Sequence, residues 1–407
     1  MPGKDRVVAL HDPDEYLTDD VHARLAEARA ADPVQWQDEP GGPGYWAVLR
    51  HADVVHVSRH PEVFSSALGG IVLEDSDPEM LEQSRRMLVV MDPPKHSAYR
   101  HPLAPHFSAR VVATMEAQVR ELCRTLVDDA LARGEVELCH DVAGPLPSLA
   151  IAAIMGIPAE DTPRIRRWAE LALGGQDDEV VGDYEGNASI EMIGYAMQFA
   201  ASRRAECRRA EERRDDLTSL LLETPFEAGA PMDDVEFGSF FFQLVAAAND
   251  TTRTLISSGV DELLDRPAEL AALRADPALI PTAVEEMLRY RNPVHVMRRT
   301  ATTDTELGGR RIAAGDKVVL SYTSANRDES VFADAESFDL RRSPNPHLGF
   351  GVATHFCLGA HLARLEARVF FEELLANCAR IERAGAPVRV RSNLTNGYRE
   401  LPVRLAH

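Results

Sequence analysis

From Asp233 to about Asp265 the hydrophobic pattern is helical without a break, and no other stretch restricts the fold so much. Asp233 followed three residues later by Glu236 is a helix-start signal, an acid placed to cap the first unpaired backbone N–H groups. About 30 residues at ~1.5 Å rise make a rod of roughly 45 Å, long enough to cross a molecule of this size. Phe240, Phe241, Phe242, Leu244, Val245 and Ala246 surround its axis, so the middle of the rod is expected to be buried. In that setting Asn249-Asp250-Thr251-Thr252 is anomalous, because a buried carboxylate is costly unless a hydrogen bond or countercharge holds it. Leu244, Ala248, Thr251 and Leu255 share one stripe with Ala247 beside them, and the two alanines leave room for a flat molecule against the helix. A threonine hydroxyl there can bond back to the preceding turn and open a polar notch.

Helical periodicity also runs from Val111 to Arg133, Leu146 to Met155, Arg164 to Leu173 and Ile190 to Arg213. Strand-like pieces occur at Tyr45 to Leu49, Val296 to Thr302, Arg311 to Tyr322, Val388 to Val390 and Leu401 to Leu405, so helix outweighs sheet. Gly174 to Asn187, with four glycines among acids, reads as an exposed mobile connection. No Gly/Ser linker or repeat divides the 407 residues, so residues 1–407 are expected to form one domain. The net charge of −21 argues against nucleic acid or an anionic membrane as partner. Local basic clusters remain in Arg364 and Arg368 and in Arg110, Arg120 and Arg124; each is either a docking patch or a solvated helix face. The longest apolar stretches, Leu146 to Ile157 and Phe240 to Ala248, are too short or interrupted to span a bilayer, and no hydrophobic signal follows Lys4 and Asp5. A membrane anchor and secretion are therefore not expected. Five scattered cysteines, Cys123, Cys139, Cys207, Cys357 and Cys378, suit reduced thiols in a cytoplasm.

One cysteine stands apart. Cys357 lies in the run from Phe350 and Gly351 to Gly359. Leu358, Leu362, Leu365 and Val369 then recur at helical spacing toward Arg380, with Arg364, Glu366 and Arg368 on other faces. A thiol at a helix N-terminus feels the positive end of the dipole, which favours the metal-binding thiolate. Without a CxxC partner, a four-cysteine zinc or iron–sulfur site is not the natural reading. A single thiolate framed by Gly351 and Gly359 suits a flat ligand approached closely by backbone, such as haem iron.

The segment resembles the haem-binding loop of the cytochrome P450 family, F-G-x-G-x-H-x-C-x-G, with Ala353 where the family usually has glycine. If that position takes a positive φ, alanine costs about 1–2 kcal/mol. Ala247-Ala248-Asn249-Asp250-Thr251 is similar to the family's oxygen-activation motif A-G-x-D/E-T, with Ala248 in place of glycine. Asp92-Pro93-Pro94-Lys95-His96-Ser97-Ala98-Tyr99-Arg100 is similar to its D-P-P-x-H-x-x-x-R segment, and Glu286-Met287-Leu288-Arg289 matches its E-x-x-R.

The resemblance implies a mainly α, triangular-prism fold with a small β region. It implies haem b ligated by Cys357, with Ala247, Ala248, Phe350 and Gly359 around it and His96, Arg100, Arg299 and His355 on its propionates. Asp250 and Thr251 would serve proton delivery, and Glu286, Arg289 and Arg342 would form a structural trio. The activity implied is an O2-dependent haem-thiolate monooxygenase drawing electrons from a separate ferredoxin or flavodoxin with its reductase. A peroxide-using haem-thiolate enzyme and a non-catalytic haem sensor or carrier stay open. The family's pocket walls fall here on Ile71, Val72, Leu73, Met192, Met197, Val294, Val296, Leu394 and Thr395, with Leu244 and Ala247 on the central helix. That lining is aliphatic and suits a large apolar substrate. Pro61 to Gly70 and Arg391 to Gly397 look like members that oxidise sterols, branched lipids or terpenoids. His295 is placed either to orient a polar group on the substrate or to bond to backbone.

Overall fold

The computed structural model describes residues 8–209, 216–226 and 229–407; Lys4, Asp5 and the end of the helix expected to reach Arg213 lie outside these, as does the side chain of Cys207. Helix makes up 55% of the structure, beside small sheets. The central helix spans Asp234–Leu264, and the Asp233 carboxylate caps it by accepting from the Glu236 N–H at 2.7 Å. No helix among the described residues is long and apolar enough to cross a membrane.

Two apolar cores meet on this rod. Its first half, with Phe237, Phe240, Phe241, Leu244 and Val245, packs into a cluster shared with helices Lys95–Leu103, Thr162–Leu173 and Ala188–Arg209. Its second half, with Leu255, Ile256, Val260 and Leu263, packs into a cluster shared with helices Glu116–Arg133, Ile280–Tyr290 and Ala360–Asn377. The polar stretch from Asn249 to Thr252 falls at the joint. The motif is thus held between two bodies of packing.

A five-stranded sheet flanks the helices in the order Val34–Gln37, Tyr45–Val48, Lys317–Ser321, Val296–Ala301 and Phe64–Ser65. Only the Tyr45–Val48 and Lys317–Ser321 pair is parallel. Val296–Ala301 lies inside it, which buries Arg299 and brings Ile71 alongside through the Arg298 N–H to Ile71 carbonyl bond of 2.8 Å.

Three expectations change. The helix expected from Val111 to Arg133 is two, Ala109–Ala113 and Glu116–Arg133. At the break the Thr114 hydroxyl donates to the Val111 carbonyl at 2.6 Å, a local bond that competes with the helix ladder. The strand expected from Arg311 to Tyr322 is also two: Arg310–Ile312 pairs with Thr305–Leu307, the chain turns at Gly315 with φ +92°, and Lys317–Ser321 enters the main sheet. Within Gly174 to Asn187 a helix forms at Asp178–Val181, capped by the buried Asp177. Asp177 also accepts from the Arg391 N–H at 3.0 Å, so the start of this connection is pinned.

The segment leading to Cys357 is fixed by the fully buried pair Glu286 and Arg289. All five N–H bonds of Arg289 are used: two on the Glu286 carboxylate, and three on the carbonyls of Asn326, Ala335 and Ser337, at 2.7–2.9 Å. Arg342 donates to Glu286 at 3.1 Å. Asn326 then accepts from the Leu348 N–H at 2.7 Å, passing this rigidity to the cysteine loop.

The basic clusters are largely paired. Arg120 and Arg368 bind Glu116 and Glu372, Arg124 reaches Glu373, and Arg364 binds Glu285. Arg110 alone of the five forms no ion pair among the described residues. Solvated helix faces are the better description.

Candidate functional site

The cysteine loop is tight. The Cys357 N–H donates to the Phe350 carbonyl at 2.8 Å, and Gly351 takes φ +65° between them. Ala353 has φ 61°, one of two non-glycine residues in the left-handed region among those described. The alanine that departs from the family glycine is therefore strained, at a cost of about 1–2 kcal/mol. Phe350 is buried under the Arg364 guanidinium, 4.4 Å from its ring centre.

The helix begins at Ala360 with Gly359 as its N-cap, so Cys357 stands ahead of the first turn and not within it. The dipole argument is accordingly weaker than the sequence suggests. Burial pushes the thiol above its ordinary value, against the Gly359 N–H aimed at the sulfur and the charges of Arg100 and Arg364. A bound metal ion would deprotonate it outright. A Cβ on Gly359 would meet nothing within 4 Å, so this side of the loop borders open space.

Four basic side chains, His96, Arg100, Arg299 and His355, from three distant segments gather beside the loop that carries Cys357. The His96 and His355 rings are in edge contact at 4.6 Å. Arg299, His96 and Arg100 all act on His355, and Arg100 acts on the Cys357 sulfur. Burial, reinforced by Arg100, holds His96 down at about 4; burial and the same cations push His355 lower still. Burial also lowers Arg299, which is buried and, among the described residues, donates only to the Arg298 carbonyl, at 2.7 Å. Neither Arg299 nor Arg100 forms an ion pair among the described residues, and the buried His96 Nε2 has no hydrogen-bond partner. Such a cluster of uncompensated donors is expensive in isolation and fits a dianionic group seated against it. These residues fit haem, with its two propionates. Sequence reasoning missed two helpers: Ser66, whose hydroxyl lies 3.3 Å from His355 Nε2, and the neighbouring role of Asp92 in accepting from the Ser66 N–H at 2.8 Å.

The facing wall is the central helix. Ala247 is exposed although nearly all its helix neighbours are buried, and Gln243, Ala248 and Thr251 are half-buried on the same side. That face borders open space. The Thr251 hydroxyl donates to the Ala247 carbonyl at 2.7 Å, the back-bond expected. Asp250 points elsewhere: it is buried and ion-paired with Arg253, three residues on, which supplies the countercharge its position demands. Arg253 was readable from the spacing but was not singled out. Both line a polar cavity of 220 Å³ with His140, Glu170, Thr395 and Arg399, large enough for several waters.

Glu366 was expected on a face other than the apolar stripe; it is buried, and the Thr252 hydroxyl donates to it. Its signal was present, since it follows Leu362 by four residues and so falls on the apolar stripe. Burial pushes its carboxyl from the ordinary 4.5 up to about 8. Between those values the folded chain holds a proton that the unfolded chain releases, so the contribution of Glu366 to stability is greatest below this window, falls as pH rises through it, and levels off above it. Glu366→Gln mimics the protonated form. It is expected to flatten that slope and to exceed the wild type at pH 9 by a few kcal/mol, at about 1.4 kcal/mol per pKa unit. Denaturant melts between pH 5 and 9 test this, and an unchanged slope in the variant refutes it.

The pocket residues divide. Ile71, Val72 and Leu394 are half-buried, Leu73, Val296 and Thr395 buried, and Val294 bridges to Thr395 across an antiparallel contact. Met192 is buried in the helix core while Met197 is partly open. His295 stacks on Tyr16 at 3.9 Å and bonds to the Thr323 hydroxyl at 2.9 Å, a packing role.

The sequence profile of the family described as Cytochrome P450 matches residues 185–387. Among curated relatives, the methyl-branched lipid omega-hydroxylase of Mycobacterium tuberculosis is 41% identical over 95% of this chain and 92% of its own length. The steroid C26-monooxygenase of Mycolicibacterium smegmatis is 35% identical over 93% and 89%. The linalool 8-monooxygenase of Pseudomonas putida is 36% identical over 97% and 98%. Among solved structures, a Mycobacterium marinum cytochrome P450 in complex with pseudoionone superposes with a TM-score of 0.89 at 36% identity, covering 99% of this chain and all of that one.

Proposed function

The chain belongs to the cytochrome P450 family, a haem-containing oxidoreductase of the monooxygenase type, and on that premise we propose that it hydroxylates a large lipid-like, steroid or terpenoid substrate. The electrons would come from a separate ferredoxin or flavodoxin with its reductase. The four described cysteines are free thiols, which fits a cytoplasmic setting. The observation that carries the reading is the gathering of His96, Arg100, Arg299 and His355, none of which forms an ion pair among the described residues, beside the loop that carries Cys357.

Haem, when bound, supplies the oxidative chemistry; the protein contributes position, protons and a dry site. Cys357 would hold its iron, and the four basic side chains would hold its propionates. Ala247 and Ala248 keep the facing wall low enough for a flat group and a substrate above it. Thr251 Oγ1 is the proton donor at that wall, once it releases the Ala247 carbonyl. Asp250 takes protons from the 220 Å³ polar cavity on its far side, with Arg253 holding its carboxylate in place. Ile71, Val72, Leu244, Val294, Val296 and Leu394 supply aliphatic surface that excludes water and orients an apolar substrate. The relatives, whose names specify a lipid, a steroid and linalool, support this class of substrate.

The test is a titration of the haem-loaded protein with steroids, terpenoids, fatty acids and small polar compounds, read by the Soret band, which shifts when a ligand fills the space above the iron. Shifts are expected with the bulky apolar compounds and not with the polar ones. Silence across the apolar panel would remove the proposed substrate class.

A further inference from the structure

One cation beside the cysteine loop has no part in holding propionates or moving protons. Arg364 lies on the helix Ala360–Asn377 that follows Cys357, and its guanidinium covers the Phe350 ring, 4.4 Å from the ring centre. Phe350 is itself tied to Cys357, since its carbonyl accepts from the Cys357 N–H at 2.8 Å. Against the burial that raises the thiol, the Arg364 charge favours the thiolate. A planar guanidinium stacked on an aromatic face is a charge held in one place. Glu285 holds it from behind, accepting from Nε at 2.6 Å and from Nη2 at 2.8 Å in a bidentate fork. His347 Nδ1 accepts from the Gly349 N–H at 3.1 Å, which leaves its Nε2, 3.0 Å from the same carboxylate, as the donor. Against burial, Arg364 and His347 hold the Glu285 carboxyl down at about 2, so it is an anion throughout the working range. The Arg364 and Glu285 side chains are only 31% and 29% exposed, so solvent damps their fields without erasing them.

We infer that Arg364 and Glu285 are a matched pair of opposite charges that sets the reduction potential of the iron held by Cys357. A cation beside the thiolate draws electron density from the sulfur and stabilises the added electron, which raises the potential; the carboxylate behind it offsets that field. Both act through the sulfur and the Phe350 ring, as positioning residues. This tuning rests on the reading of Cys357 as the haem ligand, and it fixes how readily the iron takes its first electron from the redox partner.

The midpoint potential of the haem-loaded protein, titrated with dithionite and redox dyes at fixed ionic strength, tests the pair. Glu285→Gln keeps an oxygen for Arg364 but removes the negative charge, and its potential is expected to rise by about 30–60 mV, a three- to tenfold shift in a one-electron equilibrium. Arg364→Gln removes the positive charge and should fall by a similar amount. Arg364→Lys keeps the charge without the stacked fork and should fall by less, and the double variant Glu285→Gln/Arg364→Gln should return close to wild type. Opposite signs distinguish a charge pair from a structural brace, because loosening the loop moves both single variants the same way. Shifts of equal sign, or a Glu285→Gln potential that does not rise, would overturn the assignment while the haem-ligand reading stands. The second of these outcomes decides alone if Arg364→Gln does not retain haem. A wild type whose reduced carbon monoxide complex lacks the thiolate-type band removes Cys357 as the ligand, and the charge pair falls with it.

Discussion

Replacing Cys357 by serine is expected to abolish O2-dependent turnover while leaving the folded chain almost as stable as before. The side chain is half-buried, and its backbone N–H, not its sulfur, makes the loop bond to Phe350. A hydroxyl of smaller size therefore fits the same loop, and a change below about 1 kcal/mol is expected in a denaturant melt. The chemistry is another matter. A serine hydroxyl is far less acidic than a thiol and offers oxygen in place of the soft, electron-rich sulfur that haem-thiolate chemistry draws on. Removing even an outer partner of a metal ligand costs about 10–100-fold in affinity or activity, so loss of the ligand itself should cost more. The matching spectral result is loss of the thiolate-type band when the reduced protein is exposed to carbon monoxide. A serine variant that keeps both its spectrum and its turnover would refute Cys357 as the ligand, whatever the rest of the site looks like.

How far such a site could be read beforehand depends on how local its causes are. The cap at Asp233 and Glu236, the rod it starts and the buried carboxylate within it follow from spacing along one helix, and the helix stands as expected from Asp234 to Leu264. The partner of Asp250 was equally local, since Arg253 is only one turn away. The convergence of His96, Arg299 and His355 has no such signature: about 200 residues separate the first two, and nothing in their periodicity joins them. Only the likeness of short motifs to a family did so. Glu366 marks the opposite failure. Its four-residue spacing from Leu362 was visible, but it was placed on a face other than the apolar stripe, whereas burial and a proton let a carboxyl share that stripe. The segment after Gly174 failed for a third reason. Its glycines and acids describe a loop well enough, but Asp177 is pinned by Arg391 and Arg399, from the far end of the chain.

Arg289→Lys is expected to yield little folded protein, although the charge is kept and no substrate or cofactor is touched. Lysine offers three donors on a flexible stem where arginine offers five in a rigid fork. Here all five are used; Glu286 and Ser337 also accept from Arg342, but the buried Asn326 and Ala335 carbonyls have no second side-chain donor among the described residues, so these two are the acceptors lysine stands to orphan. Each orphaned buried acceptor costs about 1–3 kcal/mol, so two cost about 2–6 kcal/mol. The upper end of that sum reaches the stability of a typical fold, roughly 5–15 kcal/mol. The damage should also travel in a set direction. Asn326 anchors Leu348, so material that does fold should hold the cysteine loop loosely and retain haem poorly. Glu286→Gln tests the other half: it keeps the shape but leaves the positive charges of Arg289 and Arg342 without an anion, and should be destabilised by a comparable amount. Soluble yield, denaturant midpoint and haem content of the three proteins decide the matter. A lysine variant with wild-type midpoint and full haem would mean that the trio is dispensable, and that some other contact carries the loop.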